Sequence, residues 1–234
     1  MTLRIGVAGW SVRREHGELF GAGASHLARY ATRFNAVEIN SSFYRPHRTS
    51  TYARWAAGVP DDFRFAVKMP RRITHEKRLR DVGDELASFA SEVHGLGAKL
   101  GPVLIQLPPS LAFEAGVARA FFDAVRAVFP ELLACEPRHA SWFTPGGETL
   151  LKQFHVARVA ADPAVVPEAA RPGGWDGFTY WRLHGSPRMY YSAYAPARLA
   201  ALAQSLDANA WCIFDNTALG AAVTDALQVV ALTE

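Results

Sequence analysis

Short apolar runs recur along the chain, each followed by a polar loop and then by a stretch with helical apolar spacing. The runs read RIGVAG, AVEIN, FRFAVK, GPVLIQL, LLACE, VARVAAD, FTYWRLH and AWCIFD, and they start at Arg4, Ala36, Phe63, Gly101, Leu132, Val156, Phe178 and Ala210. Successive starts lie 32, 27, 38, 31, 24, 22 and 32 residues apart. Each interval holds one strand and one return connection, as parallel neighbours require. Between Asp81 and Gly97, the positions Val82, Leu86, Phe89, Val93 and Leu96 fall 4, 3, 4 and 3 residues apart, one face of a helix. Val117, Phe121, Ala124, Val125, Val128 and Phe129 form a second stripe, and Leu27, Tyr30, Ala31 and Phe34 a third. A short helix is expected over Thr49 to Ala57, and a final one after Asn216 around Asp225 and Ala226. Pro163 to Gly174 carries prolines and paired glycines and reads as loop or broken helix.

Eight strand–helix units predict an α/β fold: a single (β/α)8 TIM barrel, one domain over residues 1–234 with no room for another. The rival is an open doubly wound sheet, whose usual mark is G-x-G-x-x-G after the first strand. The first run ends instead in Gly6-Val7-Ala8-Gly9-Trp10.

Composition fits a globular chain: 50% hydrophobic, 12% aromatic and 20% charged. No apolar run reaches the length of a membrane span. Met1 to Gly9 reads as a strand rather than a signal peptide, so the expected location is cytoplasmic and no membrane partner is expected. Two cysteines, Cys135 and Cys212, are too few for a disulfide framework or a thiolate metal site. The net charge of +3 leans weakly towards anionic ligands.

In a barrel of this kind the strand C-terminal ends build the active site. Here those ends carry Glu38 and Asn40, Lys68, Gln106, Glu136 and Arg138, Asp162, Arg182 and His184, and Asp215 with Asn216. Period-two alternation puts Glu38 with Asn40, Glu136 with Arg138, and Arg182 with His184 on shared faces. Any one polar residue at a strand end is ordinarily structural, because strand ends meet solvent. Seven such ends beside apolar runs are harder to explain that way, since charges are seldom buried unpaired. In the sixth run Arg158 shares parity with Asp162, so strict alternation aims both the same way. A bulge near Ala160-Ala161, or an outward Asp162, resolves the conflict.

Glu38, Glu136, Asp162 and Asp215 are interleaved with Lys68, Arg138 and Arg182. That mixture suits a charge-compensated pocket for a small polar or anionic substrate, with Arg138 and Arg182 as carboxylate or phosphate holders. No cofactor is expected. A divalent metal held by Glu136, Asp162, His184 and Asp215 is the alternative, and the cations oppose it. The loop Arg71 to Arg80 carries five basic residues and one acid on the same face, with His75 the group that titrates near neutrality. It is either a solvated loop or an anion-attracting rim. Tyr44, Trp142 and other loop aromatics either stack on a ligand or cover the mouth. Cys135 and Cys212 fall on the opposite parity, facing the helices, and neither a G-x-S-x-G elbow nor an H-E-x-x-H or P-loop motif is present.

At these residues the sequence resembles the DUF72 (YecE-like) family of uncharacterised TIM-barrel proteins. The matching stretches are Gly9-Trp10, Phe34-Asn-Ala-Val-Glu-Ile-Asn-Ser-Ser-Phe-Tyr44, Phe65-Ala-Val-Lys68 with Ile73-Thr-His75, and Lys99-Leu-Gly-Pro-Val-Leu-Ile-Gln-Leu-Pro-Pro109. They continue with Glu136-Pro-Arg-His-Ala-Ser-Trp142, Arg182-Leu-His-Gly185 and Phe214-Asp-Asn216. The resemblance implies the barrel and implies no reaction, because the family has no assigned activity. The family more often reads Glu-Phe-Arg-His at Glu136 to His139, and Asn-Asn at Asp215-Asn216, so Asp215 adds a charge to that pattern.

The favoured functional expectation is an enzyme of hydrolase, lyase or isomerase type. Its catalytic residues would be Glu136, Lys68, His184 and Glu38. Its substrate-binding residues would be Asn40, Tyr44, His75, Gln106, Arg138, Trp142, Asp162, Arg182, Asp215 and Asn216. The alternatives are a nucleic-acid-binding protein similar to endonuclease IV, and a metal-dependent sugar isomerase or epimerase. The sequence does not fix the oligomeric state.

Overall fold

A computed structural model describes residues 2–234. The strands are β1 (Arg4–Val7), β2 (Ala36–Ile39), β3 (Arg64–Lys68), β4 (Leu100–Gln106), β5 (Leu133–Glu136), β6 (Val156–Arg158), β7 (Ala160–Asp162), β8 (Gly173–Gly174), β9 (Thr179–Leu183) and β10 (Ala210–Phe214). The helices are α1 (His26–Tyr30), α2 (Thr49–Ala57), α3 (Gly83–Val93), α4 (Ala115–Val128), α5 (Pro145–Gln153), α6 (Pro196–Ala203) and α7 (Ala221–Thr233). The stripe expected between Asp81 and Gly97 becomes α3 plus a tight turn. Asp84 and Glu85 sit in the first turn of α3, and Gly97, at φ 54°, lies in the turn beyond it.

The fold is α/β with parallel-rich sheets. A six-stranded sheet runs β2-β3-β4-β5-β6-β8, and a four-stranded sheet runs β1-β10-β9-β7. All pairings are parallel except β6 with β8. Two features join the sheets. Along the chain β7 follows β6 after Val159 alone, whose N–H donates to Cys135 O at 2.8 Å. At the other junction a single bridge pairs Ala8 with Glu38, and Gly9 N donates to Glu38 O at 2.9 Å.

Side chains replace the missing ladder between β1 and β2. The Tyr30 hydroxyl donates to Ala36 O and accepts from Val7 N, both at 2.9 Å. Asn35 accepts from Ile5 N at 3.0 Å and donates to Leu3 O at 2.8 Å. Gly6 allows this close approach, since a Cβ there would stand 2.1 Å from Ala36 O.

The sixth run differs from the expected single strand. It is two three-residue strands broken at Val159. Alternation continues through the break, so Arg158 and Asp162 both turn away from the inner layer. Arg158 bonds Glu148 of α5, and Asp162 bonds Arg198 of α6. The stretch after it is loop with one turn at Pro167–Ala170, and β8 is its end.

Two apolar layers flank the strands. The larger packs strands against helices and includes Cys135 and Cys212, both buried; burial pushes both thiols up. The smaller is made of Ala36, Ala66, Leu104, Ala134, Ala157, Val159, Phe178, Tyr180, Trp211 and Ile213. Its alanines leave room for the large rings, and Tyr180 stacks on Trp211 at 6.1 Å. Among the described residues, no helix is long and apolar enough to cross a membrane.

Candidate active site

The small inner layer fixes where the charges go. A residue two positions beyond an inward side chain points the same way. Glu38 follows Ala36, Lys68 follows Ala66, Gln106 follows Leu104, Glu136 follows Ala134, Arg182 follows Tyr180 and Asp215 follows Ile213. The next step outward brings Arg138 and His184 above Glu136 and Arg182. Alternation thus stacks a charged layer on an apolar one at the strand C-terminal ends.

Arg182 is the hub and is 1% exposed. It binds Glu38 bidentately, through Nε to Oε2 at 3.0 Å and Nη2 to Oε1 at 2.7 Å. Its Nη1 donates to Glu136 Oε2 at 2.7 Å, and Nη2 to Asp215 Oδ2 at 3.0 Å. Burial alone would lower the guanidinium's pKa, but Glu38, Glu136 and Asp215 hold it well above its ordinary value. Burial likewise works to raise Glu136, and Arg182, Arg138 and His184 hold it well below the usual carboxylate range. Asp215 is lowered in the same way, by Arg182 and His184 against burial.

His184 sits between two carboxylates, with Nδ1 3.1 Å from Asp215 Oδ2 and Nε2 2.9 Å from Glu136 Oε1. Arg138 Nη2 is also 2.8 Å from His184 Nε2, and Arg138 Nε donates to Glu136 Oε1 at 2.8 Å. The two contacts make opposite demands on Nε2, since the Glu136 carboxylate only accepts and the Arg138 guanidinium only donates. Tyr180 completes the base of the cluster, its hydroxyl donating to Glu38 Oε2 at 2.8 Å. Burial and then Glu38 raise that phenol well above its ordinary value.

Lys68 differs from the other cations. It is 9% exposed, and among the described residues its Nζ has no hydrogen-bond or ion-pair partner. The amine lies 4.2 Å from the centre of the Phe43 ring. Burial and then Arg182 lower its pKa to about 8, against the opposing pull of Glu38, Asp215 and Glu136. His75 packs edge-on against Phe43 and shares a 2.8 Å hydrogen bond with Thr74 Oγ1. Burial, then Lys68 and Arg71, lower it to about 4.

The remaining expected site residues divide. Asn40 belongs to the cluster, with Nδ2 3.4 Å from Asp215 Oδ1 and its own Oδ1 buried without a partner among the described residues. Gln106 is half-buried in the same layer. Tyr44, 77% exposed, stands outside it and lines a groove of about 620 Å³ with Phe43, Arg71 and Arg72. Trp142 is 1% exposed, its indole N–H donating to Leu111 O at 3.0 Å, so its ring is structural cover rather than a stacking surface. Asp162 is tied to Arg198 at 2.7 Å on the outer side. Asn216 has the opposite parity to Asp215, and its Nδ2 donates to Asp225 Oδ2 of α7 at 2.7 Å. Arg182 is sealed beneath the carboxylates it binds and does not present donors to a ligand.

The basic loop is largely neutralised within the fold. Arg71 pairs with Glu76, Arg72 and Lys77 with Glu85, and Arg80 with Glu114, while Arg78 donates to Ser110. It contains a π-helical turn at Arg72–Glu76. Among the described residues, no group of three His, Cys, Asp or Glu is arranged to hold a metal ion. Glu38 gives both carboxylate oxygens to Arg182, and Glu136 and Asp215 give one each. Tyr180, Arg198 and Asp225 were not singled out in the sequence. Tyr180 was legible, two positions before Arg182 on the same face. Arg198 and Asp225 lie on helices whose contacts no local spacing reveals.

Comparison with known proteins agrees with this architecture. The family described as "Protein of unknown function DUF72" matches residues 4–234. The UPF0759 protein YecE of Escherichia coli is 33% identical over 174 residues, 72% of this chain and 61% of that protein. The UPF0759 protein YunF of Bacillus subtilis is 26% identical over 163 residues, 60% of this chain and 52% of that protein. The chain therefore spans under two thirds of the length of these relatives. Among solved structures, a DUF72 family protein from Enterococcus faecalis superposes with a TM-score of 0.82 at 22% identity, covering 99% of this chain and 95% of that one. Another from Thermotoga maritima gives 0.80 at 22% identity, covering 99% of both. A methyltransferase from Methanosarcina mazei, at TM-score 0.52 and 9% identity over 98% of this chain and 93% of that one, shares the fold alone. With the family's description matched from the first strand to the last residue, the chain belongs to the DUF72 family of proteins of unknown function.

Proposed function

We propose that the two sheets are arcs of one closed (β/α)8 barrel, a single domain, and that its C-terminal mouth is the active site of an enzyme. The substrate class is a small polar compound carrying an anionic group, and the chemistry is proton transfer of lyase, isomerase or hydrolase type. Support for the barrel comes from the Ala8–Glu38 bridge, the continuity of β6 with β7, and an inner layer drawing on strands of both sheets.

The observation that carries the functional reading is the unpaired Lys68 amine beside a sealed, charge-compensated cluster. An amine lowered to about 8 exchanges a proton near neutral pH, which ordinary lysines do not. Glu136, Asp215 and Glu38, fixed by Arg182, supply a preorganised field that needs no reorganisation during the reaction. Arg138 is the cation placed to take a substrate anion, and Asn40 and Gln106 offer neutral polar contacts.

Pairing of the Arg71 to Arg80 side chains with acids weakens the motive for nucleic-acid binding. Glu38, Glu136 and Asp215 each give at least one oxygen to Arg182, which weakens the motive for a metal-dependent sugar isomerase.

The test is a ligand screen of anionic metabolites by thermal shift, followed by turnover assays on any hit. Glu136→Gln and Lys68→Met should each abolish turnover while folding. Wild-type turnover by both folded variants would overturn the assignment.

A further inference from the structure

Lysine is scarce in this chain. Of its 25 basic residues, Lys68, Lys77, Lys99 and Lys152 are the lysines, and arginine fills every other position. Lys77 pairs with Glu85 and donates to Asp81 O. Lys99 donates to Ala56 O and Val59 O, and Lys152 is exposed on α5. Among the described residues, Lys68 alone of the four is buried without a polar partner. Guanidinium cannot serve as a nucleophile at neutral pH, whereas a desolvated amine can.

We propose that Lys68 forms an imine with the carbonyl carbon of a small oxo acid whose carboxylate is held by Arg138. The inference rests on the active-site reading above and deepens it by naming the bond formed.

The Nζ lone pair attacks the carbonyl carbon, and one amine proton passes to the carbonyl oxygen to give a carbinolamine. A second proton, taken from solvent, lets that oxygen leave as water, so amine, carbonyl compound and one proton become a protonated imine and one water. Glu38, Asp215 and Glu136 act favourably on the positive charge of the protonated imine, against the burial and the Arg182 charge that oppose it. Arg138 spends Nε and Nη2 on Glu136 and His184, and among the described residues its Nη1 has no partner, which leaves donors for a carboxylate. The apolar Phe43 ring over Nζ limits water at the reacting atom.

The experiment is reductive trapping of the full chain with cyanoborohydride at pH 8, mapped by peptide mass spectrometry. Glyoxylate is the anionic carbonyl probe and formaldehyde the uncharged one. Hydride transfer fixes an imine as a secondary amine, adding the mass of the carbonyl compound less one oxygen atom. With glyoxylate, Lys68 should be labelled at least about tenfold faster than the exposed Lys152, as expected for an amine whose pKa is lowered to about 8. Lys68→Arg, which keeps the charge, should lose that fast adduct and show an unchanged rate at Lys152. Labelling of Lys68 no faster than Lys152 by either probe would overturn the imine. Fast labelling by formaldehyde but not by glyoxylate would overturn the oxo-acid assignment. Anion binding that survives while Lys68 stays inert would sink the imine and leave the active-site reading standing.

Discussion

Replacing Arg182 by Met removes the one cation among the described residues that contacts Glu38, Glu136 and Asp215 together. Methionine fits much of the volume, so the perturbation is chiefly electrostatic. Removing one partner from a buried ion pair typically costs about 3–5 kcal/mol, because the remaining charge stays desolvated. Three carboxylates lose a partner here, but Arg138 and His184 remain beside Glu136, and protonation caps the penalty. The expected loss is therefore about 3–5 kcal/mol at pH 7.5, on the order of 10 °C in melting temperature for a chain of this size. The pH dependence distinguishes this from a packing defect. In the wild type, Glu136 and Asp215 have depressed pKa values, so their stabilisation is present above the unfolded carboxylate range and lost as pH falls through their folded values. In Arg182→Met the orphaned carboxylates bind protons more tightly folded than unfolded, so the variant gains stability as pH falls from 7.5 towards 5. Urea unfolding at several pH values measures both slopes. Adding Glu38→Gln to Arg182→Met should recover part of the loss, since one orphaned charge disappears. A variant within about 1 kcal/mol of wild type at pH 7.5, or one whose stability follows the wild-type slope, would refute the hub role.

Gly6→Ala should destabilise by more than about 2 kcal/mol, read by thermal melting, because its Cβ would stand 2.1 Å from Ala36 O at the β1–β2 seam. Gly116→Ala on α4, where a Cβ meets nothing within 4 Å, should be neutral or stabilising by up to about 1 kcal/mol. Tyr30→Phe should cost about 1–3 kcal/mol in urea unfolding, since Val7 N and Ala36 O both lose their buried partner. Asp162→Asn should change stability by less than about 1 kcal/mol and leave turnover intact, because its ion pair with Arg198 is on the outer side.

The charged layer was legible because two-residue alternation is a rigid consequence of strand geometry. Once Ala36, Ala134 and Tyr180 face inward, Glu38, Glu136 and Arg182 must face the same way. The same rule identifies the misplaced residues. Asn216 differs from Asp215 by one position and turns to Asp225, and Asp162 shares the parity of Arg158 and turns to Arg198. Trp142 could not be judged in this way, because a loop residue has no parity. Its burial depends on Leu111 and Phe113, which come from a different loop. Pairing within the basic loop was equally hidden, since Glu85 and Glu114 reach it from α3 and the start of α4.

Lys68 gives the site a measurable conflict between stability and reactivity. Its folded pKa lies at about 8, below the ordinary lysine value of 10.5. Between those values the unfolded chain binds more protons than the folded one, so this residue's contribution makes stability rise with pH across that window. Below pH 8 the folded protein therefore carries a disfavoured charge, and Lys68→Met should raise the melting temperature at pH 7 while removing activity. The neighbouring carboxylates set how far the pKa falls. Glu38 is the carboxylate that raises Lys68 most, so Glu38→Gln should lower the amine's pKa further. The readout is the pH dependence of Lys68 labelling by formaldehyde and cyanoborohydride, which needs no identified substrate. Its midpoint should lie near 8 in the wild type and at lower pH in Glu38→Gln. A midpoint near the ordinary lysine value of 10.5, or one that moves upward in Glu38→Gln, would show that burial and the cluster's charges do not control this amine.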